Sequence, residues 1–219
     1  MSVGWAVAIL LLMLAVFYFR RRQAAQVATL LQSEPPPAYP QPVSEVQIPS
    51  GYFFHPSHTW MAEHGTALAR VGLDGFAANL MGHVQQISVV REQRWVRQGQ
   101  KLMTVTSDYE TIEMLSPLEG VVAAINPEVI KDPGLAFRDP YGKGWVCQIK
   151  SSEMETNERN LIQGPLAERW LEGSFQQLKS VLAEADPVLA QDCGQLLPGA
   201  FNRLNPERRK QLVKELFLS

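Results

Sequence analysis

This sequence of 219 residues lacks most of the residues and motifs that mark catalytic, redox or cross-linked proteins. Its two cysteines, Cys147 and Cys193, are too few for a disulfide framework and lack the CxxC spacing of zinc ribbons and redox motifs. It contains no Walker loop, no nucleotide-binding fingerprint and no GxSxG motif. The net charge is only −2, so no basic face indicates nucleic acid as a partner. The sequence therefore predicts no catalytic residue, no cofactor and no metal site.

Charge is missing altogether from residues 2–19 near the N-terminus. At about 1.5 Å rise per residue, roughly 18 helical residues reach about 27 Å, which is enough to cross the hydrocarbon core of a bilayer. Arginine follows at once, at positions 20, 21 and 22. Residues 1–22 therefore predict a single transmembrane anchor with an arginine stop, and the flanking positive charge places the bulk of the chain on the cytoplasmic side. A cleaved signal peptide or a buried helix is the alternative, although a signal peptide carries its positive charge before the apolar run.

Residues 23–50 predict a helical extension followed by a proline-rich linker. The first ten residues contain neither glycine nor proline and could continue the helix, and six prolines then occur between residues 35 and 49. Proline fixes φ and cannot donate a backbone hydrogen bond, so the linker should be extended and semi-rigid, with a reach on the order of 50 Å. A ligand for domains of the SH3 type is the other interpretation of these prolines.

Short runs rich in β-branched residues alternate with turn signals from residue 51 to residue 152. This pattern is typical of a compact, mainly β barrel or sandwich. Asp74 as a helix N-cap and Gly82 as a stop predict one or two helical turns after the first run. The runs cover residues 66–73, 83–90, 101–107, 111–115, 120–125 and 145–150.

The pattern changes to helical spacing in residues 153–219. Pro165 fits a first helical position, and Asp186-Pro187 and Asn205-Pro206 predict two more helix starts. We expect a small helical appendage that packs on the β domain or on a partner. Its apolar positions are Leu171, Phe175, Leu178 and Leu182 in the first helix, and Leu212, Val213, Leu216 and Phe217 in the last.

The stretch KLMTVTSDYETIEMLSPLEGVVAAIN, residues 101–126, places a polar tip between two β runs. It resembles the hairpin of lipoyl and biotinyl carrier domains, including the lipoyl hairpin of 2-oxo acid dehydrogenase complexes. More of the chain, from Tyr52 to Ser152, resembles the H protein of the glycine cleavage system, through HTWMAEHGTALARVGLDGFAANLMGHV, SPLEGVVAAIN and DPYGKGWVCQIK. This resemblance implies a lipoyl-domain-like barrel-sandwich hybrid, which has two small antiparallel sheets together with a short helix and a helical C-terminus.

The resemblance also places the cofactor-bearing lysine of both families at Tyr109, counted back from Ser116-Pro117. That cofactor is attached by an amide to the primary amine of a lysine, and a phenol cannot replace the amine. No lysine lies between Thr104 and Ser116. The candidate docking site is therefore the tip formed by Asp108, Tyr109 and Glu110, where Tyr109 is either an exposed docking residue or a position that has drifted.

We therefore expect a membrane-tethered, non-lipoylated, H-protein-like module that acts in interaction or as a scaffold and is not an enzyme. Its partners would be proteins that recognise carrier-type domains. The alternative is a lipoyl carrier of the glycine cleavage H-protein type, modified at another lysine or working with a lipoylated paralogue.

Three other groups of residues favour structural roles. His55 and His58, with Glu63 and His64 after them, match no metal-binding spacing. Cys147 alternates with Trp145 and Ile149, which predicts a small buried residue. Paired carboxylates for acid–base catalysis would need a pocket that shifts their pKa values, whereas a hairpin tip is convex. A solvated or partner-facing patch is the interpretation that we favour for Asp108, Glu110 and Glu113.

Overall fold

The structure is a computed structural model that describes residues 48–185 and 204–217. Within these residues ten strands and six helices follow one another. The strands are β1 (Tyr52–His55), β2 (Thr59–Glu63), β3 (Leu68–Leu73), β4 (Val84–Val89), β5 (Trp95–Val96), β6 (Lys101–Ser107), β7 (Thr111–Leu115), β8 (Gly120–Ile125), β9 (Cys147–Lys150) and β10 (Ile162–Gln163). The helices are α1 (Gly75–Met81), α2 (Pro127–Lys131), α3 (Leu135–Arg138), α4 (Met154–Glu158), α5 (Gly164–Ala185) and α6 (Pro206–Phe217).

Three predictions lie outside the described residues: the transmembrane anchor at residues 2–19, the extension and linker up to residue 47, and the helix start at Asp186-Pro187. None of the helices in the described ranges combines the length and the apolar composition that crossing a membrane requires.

The strands form two antiparallel sheets, which confirms the prediction of a mainly β fold with a helical C-terminus. The larger sheet has the strand order β10-β1-β2-β3-β9-β8-β5, and the smaller one has the order β4-β6-β7. With seven strands, the first sheet is larger than the resemblance implied. Its two edges are the two-residue strands β5 and β10, which are too short to give an alternating pattern and were not predicted.

All six predicted runs contain strands, and for β6, β7 and β8 the bounds agree with the prediction. Helix α1 begins after Asp74, whose Oδ1 accepts a hydrogen bond of 2.9 Å from the backbone N–H of Ala77. It ends at Gly82, where φ is +66°. The predicted N-cap and stop are therefore confirmed, and the helix fills the core with Phe76, Leu80 and Met81.

Gly120, at the start of β8, allows the chain leaving the β6–β7 hairpin to approach β9. Its φ is +150°, and a Cβ atom there would lie 2.3 Å from the backbone oxygen of Lys150. Only glycine fits such an approach without moving the neighbouring strand. The serine-proline turn and this glycine thus fix how the hairpin joins the larger sheet.

His58 ties the C-terminal helices to the β domain. Its ring stacks on Phe76 at a centroid distance of 4.3 Å and on Trp170 of α5 at 4.7 Å, and Phe217 of α6 makes an edge contact at 5.3 Å. Its Nδ1 donates a hydrogen bond of 2.7 Å to Oδ2 of the buried Asp74. The helical appendage therefore packs on the β domain, which was one of the two alternatives.

Candidate functional site

The polar tip predicted from the sequence closes the β6–β7 hairpin. Ser107, the last residue of β6, is buried and braces the turn from inside. Its backbone N–H donates to the carbonyl of Glu110 at 2.9 Å, and its hydroxyl oxygen accepts from the backbone N–H of Glu110 at 3.1 Å. Because the backbone and the side chain of Ser107 both bond to Glu110 across the turn, Asp108 and Tyr109 are presented on a short, hydrogen-bonded loop.

Asp108 is exposed and is held from the neighbouring strand β4. Its Oδ1 accepts a hydrogen bond of 2.8 Å from the side-chain amide of Gln85 and lies 3.2 Å from Nδ1 of His83. The bond from Gln85, and then that from His83, lowers the pKa of the Asp108 carboxyl below its ordinary value. The tip therefore carries a fixed negative charge at neutral pH.

Tyr109 and Glu110 both contact a residue of the last helix. The Tyr109 side chain is 45% exposed, and the guanidinium of Arg209 lies over its ring at 5.4 Å from the centroid. Nε of Arg209 donates to Oε1 of Glu110 at 3.4 Å. The acidic tip is thus divided: Asp108 faces solvent with Tyr109 beside it, and Glu110 is paired within the chain.

Along the sequence, the lysine nearest to the tip is Lys101, at the opposite end of the hairpin. It pairs with Leu115 in the register of β6 and β7, and its ammonium forms an ion pair with Glu113. Six residue steps of about 3.3 Å separate Lys101 from Ser107, so it lies roughly 20 Å from the tip along the strand. Beyond the hairpin the next lysine in the sequence is Lys131, the last residue of α2.

The side chains of His55 and His58 each have a separate hydrogen-bond partner. His58 is buried in its pair with Asp74, and Nδ1 of His55 accepts a hydrogen bond of 3.1 Å from the backbone N–H of Ser57. Burial lowers the pKa of His55 to about 4. Glu63 and His64 are exposed at the end of β2. Among residues 48–185 and 204–217, no three or more histidine, cysteine, aspartate or glutamate side chains gather closely enough to hold a metal ion.

In the described ranges, neither Cys147 nor Glu113 has the neighbouring groups that a catalytic residue needs. Cys147 is fully buried, as predicted, and burial raises the pKa of its thiol to about 12, which keeps it protonated and unreactive. Glu113 is paired with Lys101 and does not converge with the tip carboxylates on a pocket. An open cleft of about 520 Å³ lies elsewhere, between β1, β2 and α4, and presents the carboxylates of Glu63 and Glu158.

Comparison with known proteins gives the same family as the resemblance of the motifs. Residues 52–173 match the family model described as "Glycine cleavage H-protein". The chain belongs to the glycine cleavage H-protein family. The matched region begins at β1 and ends within α5, so it includes the tip but not α6.

Relatives within this family are similar over most of their own length. A glycine cleavage system H protein of Aliivibrio salmonicida is 32% identical over 111 residues, covering 51% of this chain and 87% of that protein. One of Magnetococcus marinus is 28% identical over 127 residues, covering 58% of this chain and 89% of that protein. The crystal structure of a glycine cleavage system H protein from Mycobacterium marinum matches with a TM-score of 0.45 at 23% identity, covering 48% of this chain and 87% of that one.

Membership of the glycine cleavage H-protein family confirms that the chain is not an enzyme, because H proteins are carrier proteins. It also supports the coarser part of the predicted function, an H-protein-like domain of the lipoyl carrier type. Proteins of this family interact with the glycine cleavage enzymes.

Sequence reasoning missed the residues that hold the tip in place. Gln85 acts from β4 and His83 from the position just before it, Ser107 acts from the end of β6, and Arg209 acts from α6. The serine could have been found, because serine often hydrogen-bonds to backbone groups in turns. No local pattern marks Arg209, which is separated from Glu110 by 99 positions in the chain.

Proposed function

We propose that this chain is an H-protein-like docking module that presents a tyrosine where the carriers of its family present the lipoyl-bearing lysine. Through the exposed tip formed by Asp108 and Tyr109 it contacts the glycine cleavage enzymes, or other proteins that recognise carrier-type domains. It carries no lipoyl group and acts by binding and positioning its partners.

The chemistry of the tip is the observation that supports this proposal. The turn between β6 and β7 is formed by Asp108, Tyr109 and Glu110, and none of these side chains offers an amine for an amide bond. An exposed tyrosine beside a fixed charge is suited to docking, because aromatic side chains supply large contact areas at low entropic cost and are enriched at interface hot spots. Lys101 lies roughly 20 Å away along the strand and is paired with Glu113, so a lipoyl group attached to it would not be presented at the tip.

The second candidate is a lipoyl carrier of the glycine cleavage type, modified at another lysine or partnered with a lipoylated paralogue. Family membership favours this candidate, since the similar proteins are H proteins and the match covers most of their length. A carrier that is modified at another lysine differs from the docking module by one covalent adduct, so the mass of the chain can decide between these two.

The N-terminal sequence supports a tether to a membrane as part of the same proposal. The uncharged residues 2–19, followed by Arg20, Arg21 and Arg22, favour a single span with the β domain on the cytoplasmic side. The proline-rich linker would then hold the domain away from the bilayer, where large partners can reach the tip.

Intact-mass measurement tests the absence of the cofactor. The full chain is produced with a lipoate ligase and lipoate, and in parallel the Tyr109→Lys variant, which restores an amine at the tip. We expect no adduct on the wild type and at least partial addition of one lipoyl group to the variant, because the hairpin is otherwise intact. An adduct on the wild type would reject the docking module in favour of the carrier, and Lys101→Arg would then show whether Lys101 bears it.

Binding of purified glycine cleavage enzymes from the same organism tests the docking role. Tyr109→Ala should weaken binding at least about tenfold, which corresponds to the loss of a moderate hot spot. Trp95→Ala is the matched control, since Trp95 is also an exposed aromatic residue, at 53%, but lies on β5 in the other sheet. Equal affinities for the wild type and both variants would exclude the tip as the docking site.

A further inference from the structure

Helix α6 places a basic residue against the tip through the packing of its apolar face. Leu212, Leu216 and Phe217 are buried in the main core, which fixes the rotation of the helix about its axis. Arg209 lies three positions before Leu212, on the side of the helix that faces β7 and the tip. Its position is therefore set by the core.

The contacts of Arg209 hold both Tyr109 and Glu110. The guanidinium lies over the Tyr109 ring at 5.4 Å, and Nε donates to Oε1 of Glu110 at 3.4 Å. A further hydrogen bond of 2.9 Å runs from its Nη1 to the carbonyl of Leu204, just before the helix. One side chain thus connects the start of α6 to two of the three tip residues.

Burial separates this ion pair from the other pairs on the surface. The side chains of Arg209 and Glu110 are only 13% and 15% exposed. The adjacent Arg208 pairs with Glu184 of α5 at 3.2 Å, and there the side chains are 30% and 72% exposed. Salt and water weaken exposed ion pairs much more than shielded ones. The pair between Arg209 and Glu110 should therefore stabilise the tip more than the pair between Arg208 and Glu184 stabilises its surroundings.

We propose that Arg209 is a positioning residue for the docking tip. The surface that a partner contacts is then formed by the hairpin and by α6 together. Arg209 pairs with Glu110, so that this carboxylate is not offered to a partner, and it orients the Tyr109 ring. Gln85 holds Asp108 from β4. A partner therefore meets Asp108 and the exposed part of Tyr109 in one prepared arrangement. This inference rests on the proposed docking function, and it names the residue that sets the geometry of that site.

Hydrogen exchange of the intact chain, followed by mass spectrometry, tests the positioning without any partner. In Arg209→Gln, the amides of residues 107–111 should exchange at least about fivefold faster than in the wild type, since local opening becomes easier when the pair is lost. Glu110→Gln removes the same pair from the other side and should give a similar increase, and the double variant should exchange no faster than either single one. Arg208→Gln, the matched control on the same helix, should leave the tip unchanged.

Two further readouts separate positioning from a general loss of structure. Arg209→Lys keeps the positive charge and should restore most of the protection, and exchange in β9 should be the same in all variants. Because a prepared site loses less conformational freedom on binding, Arg209→Gln should also bind the glycine cleavage enzymes more weakly than the wild type.

The outcomes decide the two proposals separately. Unchanged exchange at the tip in Arg209→Gln, or an equal increase in Arg208→Gln, would overturn the positioning role. Tighter binding by Arg209→Gln would also overturn it, since α6 would then cover the tip rather than present it. If the wild type binds none of the glycine cleavage enzymes, the proposed function fails, and the exchange data alone decide whether Arg209 holds the tip.

Discussion

The pair formed by Asp74 and His58 gives a prediction whose magnitude can be worked out from the structure. Asp74 does two things at once: its Oδ1 caps helix α1 at the N–H of Ala77, and its Oδ2 accepts from Nδ1 of His58. Both side chains of the pair are almost fully buried. Asp74→Ala should therefore remove the cap and also leave the His58 N–H in the core without its partner.

The two losses can be added as an order of magnitude. Removing an N-cap side chain costs about 0.5–2 kcal/mol. Leaving a buried donor unsatisfied costs about 1–3 kcal/mol. Asp74→Ala should thus reduce the free energy of unfolding by about 1.5–5 kcal/mol, a large part of the 5–15 kcal/mol that is typical of a folded domain.

Urea denaturation of the wild type and matched variants measures this cost. Asn205→Ala is the control, because Asn205 caps α6 through the N–H of Arg208 at 2.8 Å but is exposed. It should cost only the cap contribution of about 0.5–2 kcal/mol. Asp74→Asn keeps the volume and an oxygen for the cap, and should cost less than Asp74→Ala. If Asp74→Ala destabilised the protein no more than Asn205→Ala, the buried bond to His58 would contribute nothing and the reasoning would be refuted.

Two further predictions concern pH and the membrane. Because burial lowers the pKa of His55 from 6.5 to about 4 in the folded state, the unfolded chain binds the proton first as the pH falls. The free energy of unfolding should therefore decrease between pH 6.5 and about pH 4, and His55→Gln should flatten this part of the pH profile; parallel profiles would contradict the assignment. A reporter that works only in the cytoplasm should be active when fused after Ser219, whereas activity of a reporter that works only across the membrane would reject the orientation drawn from the arginines at positions 20–22.

The sequence was sufficient for those parts of the fold that depend on near neighbours. The bounds of β6, β7 and β8 followed from short β-branched runs between turn residues, and α1 followed from Asp74 and Gly82. In each case the signal is local, since a strand alternates over a few residues and a cap acts within one turn. The edge strands β5 and β10 have two residues each and give no such signal.

The order of the strands could not be obtained in this way. β3 pairs with β9, and the two are separated in the chain by the whole β6–β7 hairpin. Pairing of this kind depends on which apolar faces fit together in the core, and periodicity does not contain that information. The resemblance to H proteins implied two small antiparallel sheets, but it did not give the order of their strands.

At the candidate site, too, the sequence predicted the local residues but not the contacts that come from distant parts of the chain. The sequence located the tip and its three residues, and the amphipathic pattern of α6 predicted that Leu212, Leu216 and Phe217 face an apolar surface. The pattern could not say whether this surface belongs to the β domain or to a partner. Once the core accepts that face of α6, Arg209 is carried to Glu110 and Tyr109 across 99 positions of sequence. In this chain, a residue that contacts the carrier-type tip therefore lies outside the family match, which ends at residue 173.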